Sequence, residues 1–182
     1  TQLAFREQMA DAFPGEGIGF GYGVEGPITT GYELFGERFF TMLYDDRDDL
    51  PELMDAVVDS IVDFHLWRTA VVGAPPGDDS AASGAADEAT WTRADRAPTA
   101  VVADRAPPSA VVGSMVDDIA SMVHPAMWEA IVLPSWERYF RGITSGRRTA
   151  HVEDLRREQL PFLERIGLSS FDPSISHKLS PP

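Results

Sequence analysis

The sequence predicts an α/β protein in which parallel strands alternate with helices, and three observations predict it. Strand-like alternation and helix-like periodicity follow one another along the chain. Each helical segment is long enough to carry a right-handed crossover between neighbouring parallel strands. Each strand-like segment runs, at its C-terminal end, into acidic or imidazole residues: Glu25, then Asp117 and Asp118, then His151 with Glu153, then Asp172.

Taken in order, residues 2–13 place Leu3, Phe5, Met9 and Phe13 at roughly helical spacing, and Pro14-Gly15 stop the run. In "GIGFGYGVEGPIT", Ile18, Phe20, Tyr22 and Val24 alternate with glycines. That pattern predicts a strand whose inner face lies close to other backbone, ending at Glu25-Gly26-Pro27. Its glycines lie within the strand rather than at a strand-to-helix turn, which argues against a phosphate loop. A helix is predicted over 31–44, with Leu34, Phe35, Phe39, Met42 and Leu43 on a broad apolar face. The clearest helix is 51–72. Pro51 suits its first position, and Leu53, Met54, Val57, Val58, Ile61 and Phe64 form a stripe. Asp55, Asp59 and Asp63 are expected on its solvated side, and His65, on the apolar side, is expected to pack.

Residues 74–112 are rich in Pro and Ala with few large apolar side chains, a low-complexity loop inserted into a single domain spanning 1–182. The loop holds a near repeat, "ADRAPTAVV" at 94–102 followed by "ADRAPPSAVV" at 103–112. A short duplication there adds little closure entropy. The strand in "SAVVGSMV" then runs into Asp117-Asp118. His124-Pro125 opens a helix to Arg141, bent at Pro134, whose Trp128, Trp136, Tyr139 and Phe140 belong in the core. "RRTAHVEDL" is the third strand, 156–166 a helix closed by Gly167, and "LSSFDPSIS" the fourth strand.

At 182 residues and 43% hydrophobic, the chain can bury the core of one domain. A net charge of -14 excludes a nucleic-acid groove or an anionic membrane surface, which need clustered Lys and Arg. With no cysteine, disulfides are impossible, and a metal site must use His, Asp, Glu or carbonyl oxygens. No run approaches the roughly 20 apolar residues of a membrane helix, and no basic-then-apolar leader opens the chain, so a cytoplasmic protein is expected. Thr1 stands inside a helical run, and an upstream portion is expected.

Four such strands make part of a TIM (β/α)8 barrel, lacking its N-terminal strands, since whole barrels take about 250 residues. Barrel active sites gather at the C-terminal strand ends. Glu25, Asp117 and Asp118 are therefore candidate catalytic groups, and His151 with Glu153 a candidate metal pair. Strand alternation points His151 and Glu153 the same way and Val152 the opposite way. The same alternation keeps Asp117 and Asp118 from sharing a face, so one of them is expected to be structural. Asp154 is expected to cap the helix that follows. Asp172 and His177 offer further ligands, and His124, before a proline, is expected to serve local structure.

Two runs, "VDDIASMVHPAMWEAIVLPSWERYF" and "RRTAHVEDLRREQLPFLERIGLSSFDPSIS", resemble the later strands and helices of the uroporphyrinogen decarboxylase (URO-D) superfamily. "EGPITTGYELFGERFFTMLYDD" resembles its middle, so the likeness covers most of the chain outside 74–112. The resemblance implies a (β/α)8 barrel and one of two activities: decarboxylation of uroporphyrinogen in porphyrin biosynthesis, or zinc-dependent methyl transfer between a corrinoid and a thiol. In the methyltransferases a His-x-Cys pair at the end of a late strand binds zinc. His151-Val152-Glu153 stands at the corresponding place, so the histidine carries over and a glutamate oxygen, a harder ligand, replaces the thiolate. The arginine-rich contacts of the decarboxylases have no counterpart, and an octacarboxylate would meet a strongly acidic chain whose Arg147-Arg148 is a single basic pair. The expectation is a methyltransferase-like enzyme holding zinc or another divalent metal and acting on a small molecule or a corrinoid protein, with a homo-oligomer allowed. The alternatives are a decarboxylase (lyase) and an inactive fragment or accessory subunit completed by another chain.

Overall fold

Proline early in the helix and glycine just past its end bound the helix that matters most to the site. In the computed structural model, residues 2–16, 24–72 and 112–174 are described. Helix α1 spans Gln2–Ala12 and leaves Phe5 and Phe13 exposed. Helix α2, Pro27–Phe35, starts on Pro27 and stops at Gly36, whose φ of 61° suits a residue without a Cβ. Helix α3 is Arg38–Asp45 and α4 is Leu50–Val72. The single helix expected over 31–44 is thus two helices, because the left-handed turn at Gly36 breaks it, and it begins earlier, at Pro27.

Strand β1, Val112–Val116, leads through a 3-10 turn at Asp118–Met122 into a long helix. That helix comprises α5, Pro125–Met127, a π turn at Trp128–Val132, and α6, Leu133–Ile143. In the π turn the Leu133 N–H reaches back to the Trp128 carbonyl, just before Pro134, which has no N–H to continue the α ladder. Strand β2, Arg147–His151, is followed by a 3-10 turn at Arg157–Gln159, helix α7, Leu160–Arg165, and strand β3, Leu168–Asp172.

The three strands are parallel in the order β1-β2-β3, and Glu25 makes a further parallel bridge to Val116 on the free side of β1. Chain order and spatial order therefore coincide, the arrangement an α/β sheet with helical crossovers produces. Among the described residues the sheet does not close into a barrel. Most of the expected first strand (18–23), residues 74–111 of the expected loop and repeat, and His177 lie outside the described residues, while Val112, the last residue of that expected loop, opens β1.

Helices cover one face of the sheet. Trp128, Trp136, Tyr139 and Phe140 are all at most 2% exposed, as expected for core. Each such side chain contributes on the order of 1.5–3 kcal/mol by its burial. Helices α4 and α6 cross so closely that a Cβ on Gly142 would lie 2.6 Å from Val62 Cγ2. The spacing predicts a solvated face for all three aspartates of α4, but Asp59 is not solvated. Arg138 of α6 clamps Asp59 with bonds of 2.8 and 2.9 Å and reaches Asp55 at 3.3 Å, because α6 packs against that side of α4. Among the described residues, no helix is long and apolar enough to cross a membrane.

Candidate functional site

The register across the sheet brings four chain segments to one row. Glu25 is opposite Val116, Val116 opposite His151, and His151 opposite Asp172. Residues paired in register share a face, and the next residue along each strand faces the other way. The ladder continues one step beyond, with Gly26 N–H on the Val116 carbonyl, Asp117 N–H on the His151 carbonyl and Val152 N–H on the Asp172 carbonyl. At that step Val152 and Asp117 are fully buried on the helix side. One step further, Asp118 and Glu153 return to the open face.

On this face His151 is the hub. Its Nδ1 lies 3.0 Å from Asp172 Oδ2. Its Nε2 lies 3.7 Å from Asp118 Oδ1 and 3.7 Å from Glu153 Oε1. The Glu153 N–H donates to Asp118 Oδ1 at 2.9 Å, tying the turn after β2 to the turn after β1. One ligand atom each from Asp118, His151 and Glu153 lie within 4.8 Å of one another. Those spacings are long for hydrogen bonds, yet ligands about 2.0–2.2 Å from a tetrahedral ion stand about 3.3–3.6 Å apart. The hydrogen bond to Asp172 holds the imidazole pKa above its ordinary value, with Asp118 and Glu153 adding to the effect and partial burial opposing it. The same bond, with the Ser174 N–H, keeps Asp172 below the usual carboxylate range. Even with a proton on His151, its three carboxylate neighbours leave this edge negative, a setting that favours a divalent cation.

Asp117 does not join this cluster. Its carboxylate accepts from the Ile28 N–H (3.2 Å), the Thr29 N–H (2.7 Å) and Trp136 Nε1 (2.6 Å). It thus caps the N-terminus of α2, where Gly26 has no side chain to do so. Burial, outweighing those hydrogen bonds, pushes its pKa up to about 6. A Cβ on Gly26 would come within 2.5 Å of Asp117 Cβ, so this close approach requires glycine. Glu25 lies on the row, half-buried, with its pKa raised first by burial and then by Asp118 and Glu33. Asp154 is not the N-cap of the helical turn that follows, a place that Arg156 takes. Asp154 takes a left-handed turn (φ 59°), and the next helical turn starts only at Arg157, where Gln159 Oε1 accepts the Arg156 N–H. His124 Nδ1 accepts the Ala126 N–H, a local cap as expected. His65 is half-buried on α4, its pKa lowered by burial and by Arg68.

Two positioning residues escaped the sequence reading. Thr29 Oγ1 accepts the Ile119 N–H, and fully buried Gln159 donates to the Ser121 and Val123 carbonyls. Together they fix the turn that carries Asp118. A glycine N-cap ahead of Pro27 signals a helix end awaiting an outside acceptor, but nothing local points to Gln159. Compared with known protein families, curated proteins and solved structures, the chain matches none.

Proposed function

We propose that the chain is part of a URO-D-superfamily barrel enzyme of methyltransferase-like character, with a divalent ion held by Asp118, His151 and Glu153. The observation that carries the metal reading is the convergence of three ligand atoms within 4.8 Å, with Asp172 behind the imidazole. The likeness of runs 116–140 and 147–176 supplies the reaction class. The donors fit: two carboxylates and one imidazole suit zinc or manganese without a thiolate. Such an ion, when bound, supplies Lewis-acid polarisation and lowers the pKa of the methyl acceptor. The chain's own residues prepare for it. Asp172 accepts a hydrogen bond from the His151 Nδ1–H and so leaves Nε2 as the ligand atom, and the Glu153 N–H orients Asp118.

Charge favours methyl transfer over decarboxylation. Arg147 and Arg148 open β2, at the opposite end of the strand from His151, and Arg148 is engaged by Glu137 and the Ile166 carbonyl. A polycarboxylate at the His151 edge would instead meet Glu25, Asp118, Glu153 and Asp172.

Calorimetric titration of chelator-stripped protein with Zn2+ and Mn2+, with bound metal counted by elemental analysis, tests the reading. One ion per chain is expected, lost in His151→Ala. No binding at millimolar metal, or binding unchanged in His151→Ala, overturns it. Methyl transfer from methylcobalamin to a thiol, followed by cobalamin absorbance, tests the reaction. Loss of carboxylates from uroporphyrinogen by metal-free protein would put the decarboxylase in its place.

A further inference from the structure

Beside Glu25, a groove of about 620 Å³ runs between α2 and α4. Phe35, Val57, Ile61 and Phe64 give it apolar walls. Its hydroxyls are turned away from a ligand: Thr30 Oγ1 donates to the Glu25 carbonyl and Ser60 Oγ to the Ala56 carbonyl. Among the described residues, its ionisable lining is Glu25 and Glu33, and no described arginine is bonded to either. The volume suits a small organic molecule. A neutral apolar occupant would offer Glu25 and Glu33 no counter-charge, and an anion would add a third negative charge. A bare metal ion would leave the apolar walls unused. A cation on an apolar body matches both the carboxylates and the apolar walls.

We propose that this groove binds a small amphipathic cation, a protonated amine on an alkyl or aryl body. Its ammonium sits on Glu25 and Glu33, and its body lies against Val57, Ile61 and Phe64. The head of the ligand then adjoins the Asp118–His151 edge. The inference stands on cavity shape and charge and does not require a metal, so it goes beyond the metal reading.

The full chain, stripped with chelator, is titrated by calorimetry at low salt with hexylammonium, hexanol and hexanoate. Hexylammonium is expected to bind at least tenfold more tightly than hexanol, with hexanoate weakest. Glu25→Gln with Glu33→Gln is expected to bring the amine down to the affinity of the alcohol and leave the alcohol unchanged. Should that double variant unfold by circular dichroism, Glu33→Gln alone, at an exposed helix position, is expected to cut the amine preference at least threefold. Ala56→Trp, which fills the groove from an exposed position, is expected to weaken both ligands. Equal affinities for amine and alcohol, tightest binding of hexanoate, or indifference to the glutamine changes overturns the proposal. Amine binding retained in His151→Ala supports a site separate from the metal, and its loss there overturns it.

Discussion

One peptide bond separates Asp117 from Asp118, yet the first is fully buried among N–H donors and the second stands on the open face beside His151. Face alternation divides their work, and substitutions should divide it too. Asp117→Ala strands the Ile28, Thr29 and Trp136 donors, which costs about 3–5 kcal/mol by the usual penalties for unpaired buried groups. Urea unfolding should show that loss. Asp118→Asn, whose amide oxygen still accepts the Glu153 N–H, should change stability by no more than about 0.5 kcal/mol while lowering metal affinity at least tenfold. A reversed pattern, with Asp117→Ala stable and Asp118→Asn unfolded, would refute the division. Asp172 acts one shell out. Asp172→Asn leaves the three ligand atoms in place but weakens control of the His151 tautomer, so metal affinity should fall by about 10- to 100-fold. Calorimetry on the stripped protein measures it, and wild-type affinity would remove Asp172 from the site.

At the scale of elements, helix α4 and strand β1 were legible because burial imposes a period on their apolar residues. Alternation in "TAHVEDL" was enough to put His151 and Glu153 on one side, as their 3.7 Å separation bears out. Features set by non-local contact were not legible. Asp59 faces Arg138 only because α6 crosses α4, and Gly36 breaks a stripe that reads as one helix. Arg148 gives a further example and a test. From β2 it grips Glu137 of α6 through two bonds, 2.7 and 3.2 Å, and lies over Phe140. The hydrogen bond from Arg148 and its charge, with Arg141, hold the Glu137 carboxyl below its ordinary value, partial burial opposing them. The unfolded chain therefore takes up the proton first as pH falls. The stabilising contribution is whole above about pH 4.5, the unfolded value, and is lost as pH drops through the lower folded value. The stability difference between wild type and Glu137→Gln should accordingly be larger at pH 7 than at pH 3.5. A difference independent of pH would show that this pair does not link the strand to the helix.

For the whole molecule, the order of elements and the meeting of acidic strand ends followed from sequence, since parallel neighbours with helical crossovers leave their C-terminal ends along one edge. Which face each end takes, and that Asp172 stands behind His151 rather than beside it as a ligand, depends on register that only pairing fixes. That edge joins four segments drawn from the length of the chain, all contributing negative charge to a protein already at -14. Bringing Glu25, Asp118, Glu153 and Asp172 together around one imidazole costs repulsion in the folded state that the extended chain avoids, and a divalent ion bound only by the folded chain reverses that cost. By linkage, an ion at 100 times its dissociation constant stabilises the fold by about 2.7 kcal/mol. For a chain of this length that corresponds to a rise in Tm of about 5–10 °C. Thermal unfolding of stripped protein with and without Zn2+ should show the rise in wild type and no more than about 1 °C in His151→Ala. Sodium chloride at matched ionic strength should not reproduce it, because a diffuse monovalent atmosphere screens the edge without occupying it. A rise of equal size in His151→Ala would mean that the cation merely neutralises an acidic surface, and the three-ligand centre would have no part in holding the four segments together.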